Sequence, residues 1–167
     1  WWLPLPFELP LYGVGYTHCW VATEGYVHFK SAYLDDAGDT NKLATNCMIA
    51  ANWKDISTQI FYGDEDIYIA TNSSTCVVRW KGARMGNPVD VKLELSADGR
   101  IRIDRRGDYS MPPLTVGVSA GNGLHLTGST NGFYFFQPDE VLQFSPGGGL
   151  PPALRLSATG SVYGLPA

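Results

Sequence analysis

The chain has 167 residues, 44% of them apolar and only 17% charged, with a net charge of −4, enough for one domain with a substantial core. Its twelve Lys and Arg are scattered and mostly sit beside acids, which argues against the basic footprint of a nucleic-acid binder. No apolar run approaches the roughly 18 residues of a membrane span, and no basic n-region precedes an apolar h-region. The start at Trp1 instead of Met reads as a mature product or a fragment, with any export signal already gone. Nineteen Gly, eleven Pro and 13% aromatic residues predict many short strands joined by tight turns and almost no helix.

The aromatic start "WWLPLP", with Trp1 and Trp2, leads into predicted strands at Phe7–Tyr12, Thr17–Ala22 and Gly25–Lys30. Strand neighbours alternate faces, so Trp20 lies opposite Cys19 and Val21. If those two are core, Trp20 needs cover from a loop, a second sheet or a neighbouring molecule. The segment "SAYLDDAGDTNKLAT", Ser31–Thr45, breaks the rhythm and is expected to be a long surface loop. Its Asp35, Asp36 and Asp39 are calcium candidates, since they gather side-chain oxygens around a Gly, although the spacing is not that of an EF-hand. Next come Cys47–Asn52, Gln59–Tyr62, Ile67–Thr71 and Thr75–Lys81. Asn72-Ser73-Ser74 is an N-x-S sequon in the turn between the last two. Asn72 is a glycosylation candidate if the chain is exported from a cell that attaches sugars there.

The clearest local pattern is "NPVDVKLELSADGRIRIDRRGD". Val89, Val91, Leu93 and Leu95 alternate with polar residues, as do Ile101 and Ile103, which gives a hairpin with one apolar face. A two-residue Asp98-Gly99 loop would set Leu95 against Arg102. A three-residue Ala97-Asp98-Gly99 loop sets Leu95 against Ile101 and Leu93 against Ile103, so parity selects it, with Gly99 left-handed. The same register puts Glu94 opposite Arg102, Lys92 opposite Asp104 and Asp90 opposite Arg106. It also makes Arg106 a ladder residue, which argues against adhesion through Arg106-Gly107-Asp108.

Further strands are predicted at Leu114–Ser119, Phe133–Phe136 and Val141–Phe144. The spacing of about ten residues suits an antiparallel β-sandwich, and the expected organisation is a sandwich over 1–144, a Gly/Pro hinge over 145–153 and an extension strand over 154–167. The hinge holds Gly147–Gly149 and Pro151-Pro152. In "ALRLSATGSVYG", Leu154 and Leu156 alternate with polar residues and Val162 follows, giving a strand with one apolar face and no hairpin partner next to it. Such a strand does not persist alone in water. It either folds back onto its own sandwich or completes the open edge of the next copy, with Leu154, Leu156 and Val162 filling pockets. The reach of the hinge favours exchange, and Trp1 and Trp2 are then expected at the same junction.

Cys19, Cys47 and Cys76 are odd in number, and their spacing fits neither a zinc cluster nor a CxxC motif. They read as buried small hydrophobes, with one bridge left open. His18, His28 and His125 are far apart and read as strand-surface residues. The acid clusters Asp35-Asp36 with Asp39 and Asp64-Glu65-Asp66 lie in turn-like contexts where Asp is favoured for backbone reasons, so no catalytic residue is assigned.

"LPFELPLYGVGYTHCWVATEGYVHF" resembles the opening signature of nidogen-like β-sandwich modules of secreted bacterial and animal proteins. The resemblance continues through "IAANWKDI", "CVVRWKG", the hairpin to Ile103 and "LTVGVSAGNG", from about Leu5 to Gly128. It implies a core at Phe7, Tyr12, Tyr16, Val21, Tyr26, Phe29, Trp53, Val78 and Trp80. Glu24, Ala51-Asn52 and Lys54 depart from the pattern, and only Asp55 of a paired-acid motif remains. The resemblance implies a noncatalytic extracellular module, located outside the cell or on its surface. The leading expectation is a structural subunit that binds copies of itself head to tail, without a cofactor unless calcium binds. The alternative is a carbohydrate-binding or adhesive module that takes glycans on Trp1, Trp2 and Tyr134.

Overall fold

The computed structural model describes residues 1–36, 38–59, 63–84, 86–106, 115–128, 141–146 and, for the backbone alone, 153–157. In chain order the elements are β1 (Trp2–Leu11), β2 (Val14–Val21), β3 (Tyr26–His28), α1 (Thr40–Thr45), β4 (Cys47–Trp53), β5 (Asp66–Thr71) and β6 (Thr75–Arg84). They continue as β7 (Asn87–Ser96), β8 (Ile101–Arg106), β9 (Thr115–Ala120), β10 (Leu126–Gly128), β11 (Val141–Ser145) and β12 (Ala153–Ser157). All strand pairs are antiparallel, and they form two six-stranded sheets, ordered β1-β2-β3-β4-β9-β10 and β12-β11-β8-β7-β6-β5. β1 packs over β6, β4 over β7 and β10 over β12. The edge strands β1 and β5 therefore share one flank of the sandwich, and β10 and β12 share the other.

The core between the sheets follows from period-2 alternation. In β7, Val89, Val91, Leu93 and Leu95 are buried while Asp90, Lys92 and Glu94 between them are half-buried. They meet Cys19, Val21, Ile49 and Val118 from the first sheet and Cys76, Val78 and Trp80 from β6. The Trp80 indole N–H donates to the Ala22 carbonyl at 2.7 Å, which satisfies its one polar atom inside the core. Val21, Tyr26, Phe29, Trp53, Val78 and Trp80 are buried, and Phe7, Tyr12 and Tyr16 pack against the core half-covered.

The β7–β8 register is the one parity selects: Leu95 faces Ile101, Leu93 faces Ile103, and Gly99 sits at φ +82°. The ion pairs are partly redistributed. Lys92 holds Asp104 at 2.9 Å, but Arg102 reaches along its own strand to Asp104 at 2.8 Å, and Asp90 takes Arg79 of β6 in a two-pronged contact at 2.6 and 2.7 Å. Gly25, at φ +79°, stands where a Cβ would come within 2.6 Å of the Asn52 carbonyl, so the β2–β3 turn can approach β4 only with glycine there.

Four expectations need correction. The Ser31–Thr45 segment contains α1, capped by Asp39, and buries Leu43 fully. Strand β1 begins at Trp2, ahead of the expected start at Phe7. His28 is a buried residue, 3% exposed, not a strand-surface one. The tail does have a neighbouring partner, since β12 pairs with β11 from Val141↔Ser157 to Ser145↔Ala153. The expected strand at Gln59–Tyr62 beyond Gln59, that at Phe133–Phe136, the Gly107-Asp108 dipeptide, Tyr134, the hinge residues Gly147–Gly149 and Pro151-Pro152, and Val162 lie outside the described residues.

Candidate functional site

The outer face of the first sheet carries a row set by register: Trp2 faces Trp20, Trp20 faces His28, His28 faces Met48, Met48 faces Ser119, and Ser119 faces Leu126. Directly opposed residues share a face, so this row crosses the whole sheet away from the main core. Its β3–β4–β9 half is roofed by residues 31–36 and 38–46. There Tyr33 and Leu43 close over Tyr26, Met48, Ala50 and Trp53 to make a second, smaller core. The Trp53 indole N–H donates to the Asp35 carbonyl and the Tyr26 hydroxyl to the Tyr33 carbonyl, both at 2.7 Å. His28 Nδ1 accepts the backbone N–H groups of Lys30 and Ser31 at 3.1 and 3.0 Å. Burial lowers the pKa of His28, against a partial offset from Asn46, so the ring is held neutral.

Among the described residues nothing roofs the β1–β2 half of the same face. Trp1 and Trp2 are 51% and 55% exposed. The His18 ring lies 5.8 Å from Trp2 and meets Trp20 edge-on at 4.8 Å. Trp20 gains partial cover from these rings while Cys19 and Val21 behind it are buried. Among the described residues no hydrogen bond engages the indole N–H of Trp2 or Trp20, unlike those of Trp53 and Trp80. The result is a half-open aromatic shelf with unspent donors.

The strand edges differ as sharply as the faces. Trp1 and Val21 exchange both backbone bonds, at 2.7 and 2.8 Å. Hydrogen-bonded and non-hydrogen-bonded pairs alternate along an antiparallel ladder. Leu3 therefore turns its N–H toward β2, and Pro4, opposite His18, turns its nitrogen toward the open edge. A register shift between Pro4 and Leu9 bends the strand further. Past it, Leu11 and Val14 flank the two-residue Tyr12-Gly13 turn, with φ +49° and +78°, which places Pro10 outward as well. The β1 edge thus lacks donors at Pro4 and Pro10, two of the positions where a strand would dock. On the other flank, β12 forms the second sheet's edge on backbone pairing to β11. Trp1 and Trp2 lie on the opposite flank from β12, so one chain does not bring the expected junction together.

The remaining candidates have local partners. Asp35 accepts from the Tyr33 hydroxyl at 3.0 Å and pairs with Lys42 at 2.7 Å, Asp39 caps α1 through the Lys42 N–H at 2.8 Å, and Asp36 is exposed. No group of three or more metal-ligating side chains forms among the described residues. Asn72 is exposed, and its Oδ1 closes the β5–β6 turn by accepting from the N–H groups of Ser74 and Thr75 and from the Ser74 hydroxyl, at 2.8–3.1 Å. Leu154 and Leu156 are placed by backbone register opposite Phe144 and Leu142. A shallow depression of about 190 Å³ on the outer face of the second sheet is lined by Arg79, Asp90, Lys92, Asp104 and Arg106. Burial acts to raise the Asp104 pKa, but Lys92 and Arg102 overcome it and hold the carboxylate ionised.

All three cysteines are buried free thiols. Burial pushes Cys19 up to about 12 and Cys76 up to about 11, and raises Cys47. Sequence reasoning missed Arg105, which is fully buried with Nη2 donating to Asn52 Oδ1 at 2.8 Å. The signal was present in the alternation Ile101, Ile103, Arg105, which points the arginine inward.

The family model described as NIDO related matches residues 2–105, and the chain belongs to that family. No curated protein and no solved structure matches it.

Proposed function

We propose that this member of the NIDO-related family is a noncatalytic extracellular module that joins copies of itself head to tail into a fibre or surface assembly, with β12 as the exchanged strand. The observation that carries the reading is the attachment of β12. It lies outside the matched residues 2–105 and docks at a sheet edge through a five-pair ladder to one strand, β11. It follows a stretch rich in Gly and Pro, residues 146–152. The same ladder forms equally well when β12 comes from another copy, which is the geometry of domain swapping. Exchange of one strand per copy, always donated to the next, is heterologous and propagates unless the rotation closes a ring.

The test uses the register Gln143↔Arg155. A Gln143→Cys chain mixed with an Arg155→Cys chain should give a mixed disulfide dimer under mild oxidation. Cross-linking confined to the doubly substituted chain, within single molecules, would overturn exchange.

A second reading has its own support. The shelf of Trp2, His18 and Trp20 offers ring faces and free indole donors, the chemistry that stacks on and orients sugar rings. Glycan-array binding that disappears in Trp20→Ala would establish this adhesive role, and an array without hits would remove it.

A further inference from the structure

The four edges of the sandwich are not equally protected. β1 is blunted by Pro4 and Pro10, β10 has three residues, and β12 has five with the charged Arg155 at its centre. β5 is different. It runs six residues, Asp66–Thr71, without Pro or Lys, and all but Ile67 are exposed. Such an undefended strand is a template for pairing.

The ladder fixes which groups it offers. The Asn72 N–H donates to the Thr75 carbonyl at 2.9 Å, so Asn72 and Thr75 are a hydrogen-bonded pair. Alternation along the register Thr71↔Cys76, Ala70↔Val77, Ile69↔Val78 then turns the backbone groups of Ala70 and Tyr68 toward β6, and those of Ile67, Ile69 and Thr71 toward solvent. The Ile67 N–H is taken by the Asp66 carboxylate at 2.7 Å, which leaves the N–H groups of Ile69 and Thr71 and the outward carbonyls. Ile69 shares the inner face with Val78, yet it is 38% exposed, because β1 on this flank packs over β6 and stops short of β5.

We infer that the β5 edge is an interface for the β5 edge of a second copy, paired antiparallel about Ile69. Centred there, Ile69 faces its own counterpart and Ile67 faces Thr71, so the free outward N–H groups of Ile69 and Thr71 meet the carbonyls of Ile69 and Ile67 in the other copy. Tyr68 then faces Ala70, a large residue against a small one, and Asp66 faces Asn72, so no like charges are opposed. The unroofed Ile69 side chain is covered by its symmetry mate. The second sheets of the two copies become one continuous twelve-stranded sheet across a twofold axis. This contact is independent of β12, which lies on the opposite flank, and it would tie head-to-tail arrays side by side.

Thr71→Pro is the clean probe, because at an outward position it deletes one docking N–H while leaving the β5–β6 bonds intact. Sedimentation of the full chain across a concentration series should show a weak pairing of copies, or of the head-to-tail arrays they form, and Thr71→Pro should weaken it at least tenfold with thermal unfolding unchanged. Ile69→Lys, which puts like charges together on the axis, should do the same. Ile69→Cys should cross-link to itself under mild oxidation, since hydrogen-bonded partners place Cα atoms about 5.5 Å apart, within disulfide reach. A dimer that persists unchanged in both Thr71→Pro and Ile69→Lys, or no self-association sensitive to either at millimolar concentration, would overturn the interface. The Gln143/Arg155 mixed cross-link should be unaffected by Thr71→Pro, so failure of strand exchange and failure of the β5 interface are read separately.

Discussion

The two halves of the first sheet's outer face have similar composition and opposite fates. Both are aromatic: Tyr26, Tyr33 and Trp53 with His28 on one side, Trp2 and Trp20 with His18 on the other. One half is sealed by residues 31–36 and 38–46, and every polar atom noted there has a partner. Among the described residues the other stays open with unspent indole donors. Aromatic content alone therefore does not separate core from surface here. What separates them is whether a connecting segment folds back across the face.

Removing the centre of the sealed half gives the largest expected effect. Trp53→Ala should cost about 3–5 kcal/mol, since it leaves a cavity under Tyr26 and Tyr33 and strands the Asp35 carbonyl. Urea unfolding measures this, and a loss below about 1 kcal/mol would show that the roof adds little. Leu43→Ala, deleting the one buried side chain of α1, should follow in the lower part of the range of about 2–5 kcal/mol for such truncations. Amide exchange in residues 40–46 should speed up with it.

Acid should act on the sealed half next. The folded-state pKa of His28 is depressed below its unfolded value, so the unfolded chain takes up the proton first. The stability tied to neutral His28 is complete above the unfolded pKa of about 6.5 and is lost as pH falls from there toward the folded pKa. Unfolding curves at pH 8 and pH 5 should differ in this sense, and His28→Asn, which retains an acceptor for the Lys30 and Ser31 N–H groups, should flatten the difference. The smallest stability effect belongs to the open half. Trp20→Ala should cost under about 1 kcal/mol, because half-exposed rings return little burial energy. A cost as large as that of Trp53→Ala would mean that the shelf is core after all.

The β-sandwich, the β7–β8 register and the main core were legible because they rest on period-2 alternation and turn parity, which are local. The second core was not. Tyr33 and Leu43 are isolated apolar residues in a polar segment, and nothing local says that they return to a face formed by strands on either side of them in sequence. β1 was half legible, because Pro4 and Pro6 break interior strands but are tolerated on an edge, and edge position is a property of the whole sheet. Arg105 could have been placed by alternation, but its charge argued for the surface. The tail's pairing with β11 lay beyond local reading, since it depends on which edge is free.

The three sealed thiols bear on where such a module can work. Disulfide exchange proceeds through the thiolate, and a group with a pKa of about 12 is ionised to roughly one part in ten thousand at pH 8. Cys19 and Cys76 also sit behind the sheets, beyond the reach of a bulky oxidant. Burial and suppressed ionisation together shield these thiols from exchange in the folded chain, in a reducing or an oxidising medium alike. Whatever strength an assembly of these modules attains then owes nothing to these three thiols.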